Sequence, residues 1–204
     1  MTAESTLQTY NRVAQDFFRQ RSRKLYERPW LDRMLGAMPA HRGARRLLDL
    51  GCGTGQPIAT YMADRRVAVT GVDGAPEMLR LFRANLPHAT AIEADMRDLA
   101  LGMPFDGILA WNSFFHLTGA EQRAMFPVFR RHAAPGAALM FTSGPSAGEV
   151  WGEAAKGAPI FHASLAPEDY ETLLAQNGFR VLAYRAEDPD CNGHTVWLAR
   201  FTGA

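Results

Sequence analysis

Three glycines at alternate positions, Gly51, Gly53 and Gly55, stand directly after the apolar run Leu47-Leu48-Asp49-Leu50 and just before Pro57, and no other feature of the 204 residues restricts the fold as strongly. The leucines are what a parallel strand buried on both faces requires, and the glycines let the backbone turn sharply and lie close to a ligand. Pro57 suits the first position of a following helix, where its missing N–H is no loss. That helix start offers unpaired N–H groups and a positive dipole end, able to hold a phosphate or a carboxylate.

Two residues decide between the ligands such a turn can take. The dinucleotide fingerprint wants a third glycine where this chain has Gln56, and an apolar residue where it has Asp49. A carboxylate at the strand end repels a pyrophosphate and favours a cationic ligand, such as one carrying an ammonium and a sulfonium. Asp49-Leu50-Gly51-Cys52-Gly53-Thr54-Gly55 resembles motif I of the class I S-adenosylmethionine-dependent methyltransferases.

Further along the chain, Val67–Val72 reads as a second buried strand ending at Asp73, which falls 22 residues after Gly51. An acid at that distance is suited to a ribose diol, with one oxygen for each hydroxyl. Gly74 and Met78 open the next helix, and the Met78 thioether suits a purine face. A third strand over Ala89–Glu93 leads to Asp95 and Met96, which the resemblance assigns to the adenine amino group and ring. Asp49, Asp73 and Asp95 thus end three successive strands, on the side where open α/β sheets bind ligands. The fourth strand ends at Trp111, and the loop after it, from Asn112 through His116, faces the transferring methyl group in the family.

The resemblance implies a Rossmann-like, doubly wound α/β sheet of seven strands in the order 3-2-1-4-5-7-6, the last strand antiparallel. The chain reads as a single domain, with a helical cap over residues 1–42 and the core over 43–204. In the cap, Leu7, Tyr10, Val13, Ala14, Phe17 and Phe18 recur at helical spacing to about Lys24, and a second helix spans Trp30–Met38. Ser143–Ile160, with four glycines and two prolines, reads as a long loop, and 143–163 as a substrate lid. Helix Pro167–Asn177 and a terminal hairpin, Phe179–Ala186 with Thr195–Phe201, complete the core.

A formal net charge of +1 argues against nucleic acid or an anionic membrane as partner, although Arg19, Arg21, Arg23, Lys24 and Arg28 form one basic concentration. Apolar runs are strand-sized, the first residues lack a signal-peptide core, and the two cysteines lie in no redox or metal spacing; the expected location is the cytoplasm. The six histidines share no ligand spacing, so no metal is expected.

Methyl transfer from a sulfonium leaves no obligatory catalytic motif, because the electrophile is already activated and the protein chiefly positions. An acceptor that carries a proton also needs a base; His116 is the candidate, with His162 behind it. Trp30, Trp151 and His162 are the expected acceptor contacts, and small size favours a small-molecule acceptor, of open identity, in a protein of open oligomeric state. Two rival readings remain: an NAD-dependent oxidoreductase, which leaves Asp49, Gln56 and Asp95 unexplained, and a non-catalytic nucleotide-binding module, which leaves the 111–116 loop without a use.

Overall fold

Burial on both faces makes β1 (Arg46–Leu50) a central strand: Leu48 and Leu50 enter one hydrophobic layer and Leu47 the other. It pairs in parallel with β2 (Ala68–Asp73) and β4 (Phe105–Ala110). Beyond these lie β3 (Thr90–Glu93), parallel to β2, and β5 (Ala133–Ser143), parallel to β4. The computed structural model describes residues 3–40 and 43–203; positions 1, 2, 41 and 42 of the expected cap and 204 of the core lie outside the described residues.

The sheet is closed by β8 (Phe179–Asp188) and β9 (His194–Phe201), with β9 antiparallel to both its neighbours, in the order β3-β2-β1-β4-β5-β9-β8. This is the expected 3-2-1-4-5-7-6 arrangement, its sixth and seventh strands numbered later because a separate two-stranded sheet precedes them. That sheet is the hairpin β6 (Gly148–Glu153) and β7 (Pro159–Ser164), where a loop was expected. Four glycines and two prolines between 143 and 160 hid its period of two, and the strands pair only with each other.

One face of the sheet is covered by α5 (Gly119–His132) and α6 (Pro167–Gln176), whose Phe126, Phe129 and Tyr170 pack on Phe114, Phe141 and Trp197. The other face is covered by α2 (Arg28–Ala37), α3 (Ile58–Ala63) and Phe82 of α4 (Pro76–Asn85). α5 starts on a capping box, Thr118 with Glu121, which satisfies two of the first-turn N–H groups and orients the loop before it.

The first helix, α1 (Ala3–Gln20), packs on α4 rather than on the sheet, and Asn11 Oδ1 accepts from Glu77 N at 3.0 Å at the start of α4. α1 ends short of the expected Lys24. Arg23 turns back to donate to the Phe18 carbonyl at 3.0 Å and lies over its ring, satisfying the helix end from outside. Pro57 occupies the N-cap of α3 rather than its first turn. β5 begins at Ala133 and runs through Ala134-Pro135-Gly136, a segment of turn-forming residues, with its register against β4 shifted there. Among the described residues no helix is long and apolar enough to cross a membrane.

Candidate active site

Gly51 has φ +71°, and a Cβ there would lie 2.3 Å from the Ser113 Cβ. The glycine turn after β1 and the loop after β4 therefore touch, and Ser113 Oγ locks them by donating to the Leu50 carbonyl at 2.6 Å. Asp73, at the end of β2, braces the same turn: Oδ2 accepts from Gly53 N at 2.8 Å and Oδ1 from Ala75 N at 2.9 Å. Each oxygen keeps one further lone-pair direction for a ligand, so the expected double acceptance from a diol competes with structural bonds.

These loops wall a cavity of about 290 Å³, the scale of a small-molecule cleft. Asp49, Gly51, Cys52, Gly53, Asp73, Gly74, Met78, Asp95, Met96, Trp111 and Asn112, all expected at the cofactor, line it together. Its electrostatics divide the three strand-end acids. Asp49 is 4% exposed, and burial, followed by the nearby Asp73 charge, pushes it up to about 7. Asp73 is also raised by burial, against the pull of its backbone N–H partners. Asp95 is held low by Arg97, whose Nε reaches both carboxylate oxygens at 3.0 Å and whose other end pairs with Glu121. Among the described lining residues the one cation is Arg21, and its guanidinium is bound to Glu27 at 2.9 Å. Asp49 and Asp73 thus form a buried acidic pair with no free counter-charge among the described lining residues, expensive to ionise fully unless a cation joins it.

At the other end of the cavity, His116 is 7% exposed and both ring nitrogens are engaged. Nδ1 lies 2.9 Å from the Phe161 carbonyl of β7, which can only accept, so Nδ1 carries the proton and Nε2 accepts from the Tyr10 hydroxyl of α1 at 3.0 Å. Burial pushes His116 down to about 4, leaving it neutral through the physiological range. Its ring, Phe115 and His162 form a triangle with centroids 4.8–4.9 Å apart. Burial lowers His162 as well, and its Nε2 is buried without a hydrogen-bond partner.

The structure brings neither Trp30 nor Trp151 to the cavity. Trp30 is 2% exposed in the layer under α2, where its indole N–H donates to Asp188 Oδ2 at 2.7 Å. Trp151 is half exposed on β6, with its ring against Phe161. Asn112 lines the wall but is held from behind, its N–H on Thr142 Oγ1 and its amide on His194. Phe114 belongs to the core, while its neighbour Phe115 faces the cavity. Sequence reasoning missed Tyr10, Thr6 and Leu7, which α1 turns inward; a hydroxyl on the helix's apolar face was the available signal for Tyr10. Leu7 seats on Gly74, where a Cβ would come within 2.8 Å of its side chain. Thr6 Oγ1, Thr54 Oγ1 and Trp111 Nε1 join His162 Nε2 as buried lining atoms with no partner among the described residues. Such atoms mark where a ligand supplies the missing hydrogen bonds.

The methyltransferase domain family matches residues 47–136. An uncharacterized methyltransferase of Synechocystis is 30% identical over 145 residues, covering 68% of each chain. A dTDP-3-amino-3,6-dideoxy-alpha-D-glucopyranose N,N-dimethyltransferase of Streptomyces fradiae is 36% identical over 94 residues, which is 45% of this chain. The match spans only 36% of that relative's length. Among solved structures, CalS10, an amino pentose methyltransferase of Micromonospora echinaspora with S-adenosylmethionine bound, superimposes with a TM-score of 0.70 at 26% identity, covering 90% of this chain and 93% of that one. Strand order, the motif after β1 and these relatives converge: the chain belongs to the class I S-adenosylmethionine-dependent methyltransferase family.

Proposed function

We propose that this protein transfers the methyl group of S-adenosylmethionine to a small-molecule acceptor. The observation that carries the reading is the buried Asp49 and Asp73 pair, with no free counter-cation among the described lining residues, beside glycines that admit close approach of a ligand. A dinucleotide would bring a pyrophosphate to this place and add charge of the wrong sign. S-Adenosylmethionine, when bound, supplies a cationic sulfonium whose methyl group is already activated for in-line displacement.

The chain's own residues then divide the work. Asp49, with the charge of Asp73 beside it, neutralises the ligand's positive charge, Asp73 offers its remaining lone pairs to the ribose diol, and Met78, Asp95 and Met96 receive the nucleobase end. Tyr10, Phe115, His116 and His162 shape the acceptor end. His116 Nε2 is an acceptor aimed through the Tyr10 hydroxyl, so a proton leaving the acceptor can pass to the Tyr10 oxygen as Tyr10 hands its own to His116. A base held near a pKa of about 4 is weak. Its help is at the low end of the usual 10²–10⁴, whereas alignment supplies on the order of 7–11 kcal/mol, so positioning dominates.

Relatives named for nucleotide-linked amino sugars and amino pentoses support a small-molecule acceptor. Two free cysteines and a near-zero net charge fit a reducing cytoplasm and give no case for nucleic acid. The test is titration calorimetry with S-adenosylmethionine, S-adenosylhomocysteine and NAD in parallel, followed by methyl-transfer screening of a metabolite panel. Binding of the first two and not of NAD is the expected result. Binding of NAD alone overturns the reading.

A further inference from the structure

A second cleft, of about 340 Å³, lies beside the cofactor cavity between the 143–148 turn and the β6–β7 hairpin. The two spaces share two residues, Phe115 and His162, which meet edge-to-face with ring centroids 4.8 Å apart. The partnerless His162 Nε2 therefore sits in the partition, and Gly152 allows this: a Cβ there would come within 3.0 Å of the His162 ring. Among the described lining residues of the cleft there is no lysine or arginine, and the one charged side chain is Glu149. Val150, Pro145 and Ala163 supply apolar wall, and Ser143 and Ser164 supply hydroxyls that are already bonded to the turn at Gly144.

We propose, building on the methyltransferase reading above, that this cleft holds the non-reacting end of the acceptor, whose nucleophilic end reaches past Phe115 and His162 into the cavity lined by Tyr10 and His116. The cleft selects an uncharged or cationic small molecule with an apolar face, without phosphate or carboxylate, and His162 Nε2 makes the hydrogen bond that holds it at the partition. The reasoning is electrostatic. An anionic group entering the cleft exchanges its hydration for a wall with no cation and one carboxylate, whereas a neutral or ammonium-bearing molecule loses nothing comparable. His162 stays neutral near pH 7, because burial lowers its affinity for protons, and so offers no positive charge to an anion.

The test uses three nitroxide probes of one size and different charge: 4-hydroxy-TEMPO, cationic 4-amino-TEMPO and anionic 4-carboxy-TEMPO. Paramagnetic broadening of the His162 and Val150 signals is read on the full chain saturated with S-adenosylhomocysteine. Expected is broadening at both residues by the neutral and cationic probes, about fivefold or more above the anionic one, the scale of one elementary charge a few ångströms away in water. Gly148 has nothing within 4 Å of an added Cβ, so Gly148→Phe should fill the cleft without disturbing the fold and abolish the broadening. Glu149→Lys should reverse the charge preference. Equal or stronger broadening by the anionic probe, no broadening at His162 by any probe, or indifference to Gly148→Phe each overturns the proposal. S-Adenosylhomocysteine affinity, measured on the same samples, separates the two ideas: its absence sinks the methyltransferase reading, while the nitroxide result bears on the cleft alone.

Discussion

Binding of S-adenosylmethionine is expected to release protons, and the number follows from Asp49. Burial and the Asp73 charge raise this carboxyl from an ordinary 3.8 to about 7. That rise corresponds to on the order of 4 kcal/mol between its two protonation states. Because the folded-state pKa of an acid is raised, Asp49's contribution to stability is fully present below 3.8 and is lost as pH rises through about 7. The ligand-free protein therefore weakens across that window. A cation placed against the pair returns the carboxyl toward its ordinary range. At pH 7 a half-protonated Asp49 then gives up about half a proton per ligand bound, approaching one near pH 5.5 and vanishing near pH 9. The assay is calorimetry in buffers of different ionisation enthalpy, where the slope of observed heat against buffer heat counts protons. Asp49→Asn should remove the linkage, weaken cofactor binding and raise the melting temperature of the free protein above neutral pH. Tight binding with no proton release at pH 7, or undiminished release in the Asn variant, would refute the reasoning.

Asp73→Ala strands the N–H groups of Gly53 and Ala75, so it should lower stability by about 1–3 kcal/mol as well as cofactor affinity, measured by melting and by calorimetry. An unchanged melting temperature would mean that the glycine turn holds its shape without this brace. For His116→Gln, turnover should fall by about 10² or more with cofactor affinity nearly constant. With the cofactor saturating, so that the Asp49 linkage drops out, the wild-type profile should be flat around neutrality, losing activity only as pH falls through about 4, where the imidazole charges. An inflection near the ordinary 6.5 that disappears in the glutamine variant would contradict a buried His116. Trp30→Phe removes the bond to Asp188 and should reduce stability by about 1.5–3 kcal/mol while leaving kcat and cofactor affinity as they were. A changed kcat would return Trp30 to the active site.

The cofactor half of this site was legible because it is written in short, contiguous stretches. Asp49 with its glycines, Asp73 and Asp95 stand at the ends of consecutive parallel strands, and strand-end position alone brings them to one cavity. The proposed acceptor half combines α1, the turn after β4 and a hairpin, whose mutual placement no local pattern encodes. Trp30 and Trp151 were expected there as large aromatics near the right segments, yet one faces the sheet and the other solvent. Tyr10 was legible as a buried helix position and not as the partner of His116, a residue 106 positions away. The hairpin was read as loop because its strands pair outside the main sheet, where burial no longer imposes alternation.

The hairpin's isolation has an evolutionary consequence. The β6–β7 ribbon hangs in the connection between β5 and α6, shares no strand with the seven-stranded sheet, and supplies one wall of each cavity. The family match ends at residue 136, before the ribbon begins, and starts at 47, after the helical cap. Both segments can therefore be exchanged or reshaped without altering the strand ends that carry Asp49 and Asp73. A fold built this way lets acceptor recognition change while the strand ends stay fixed, through a single position such as Glu149 or through the ribbon as a whole.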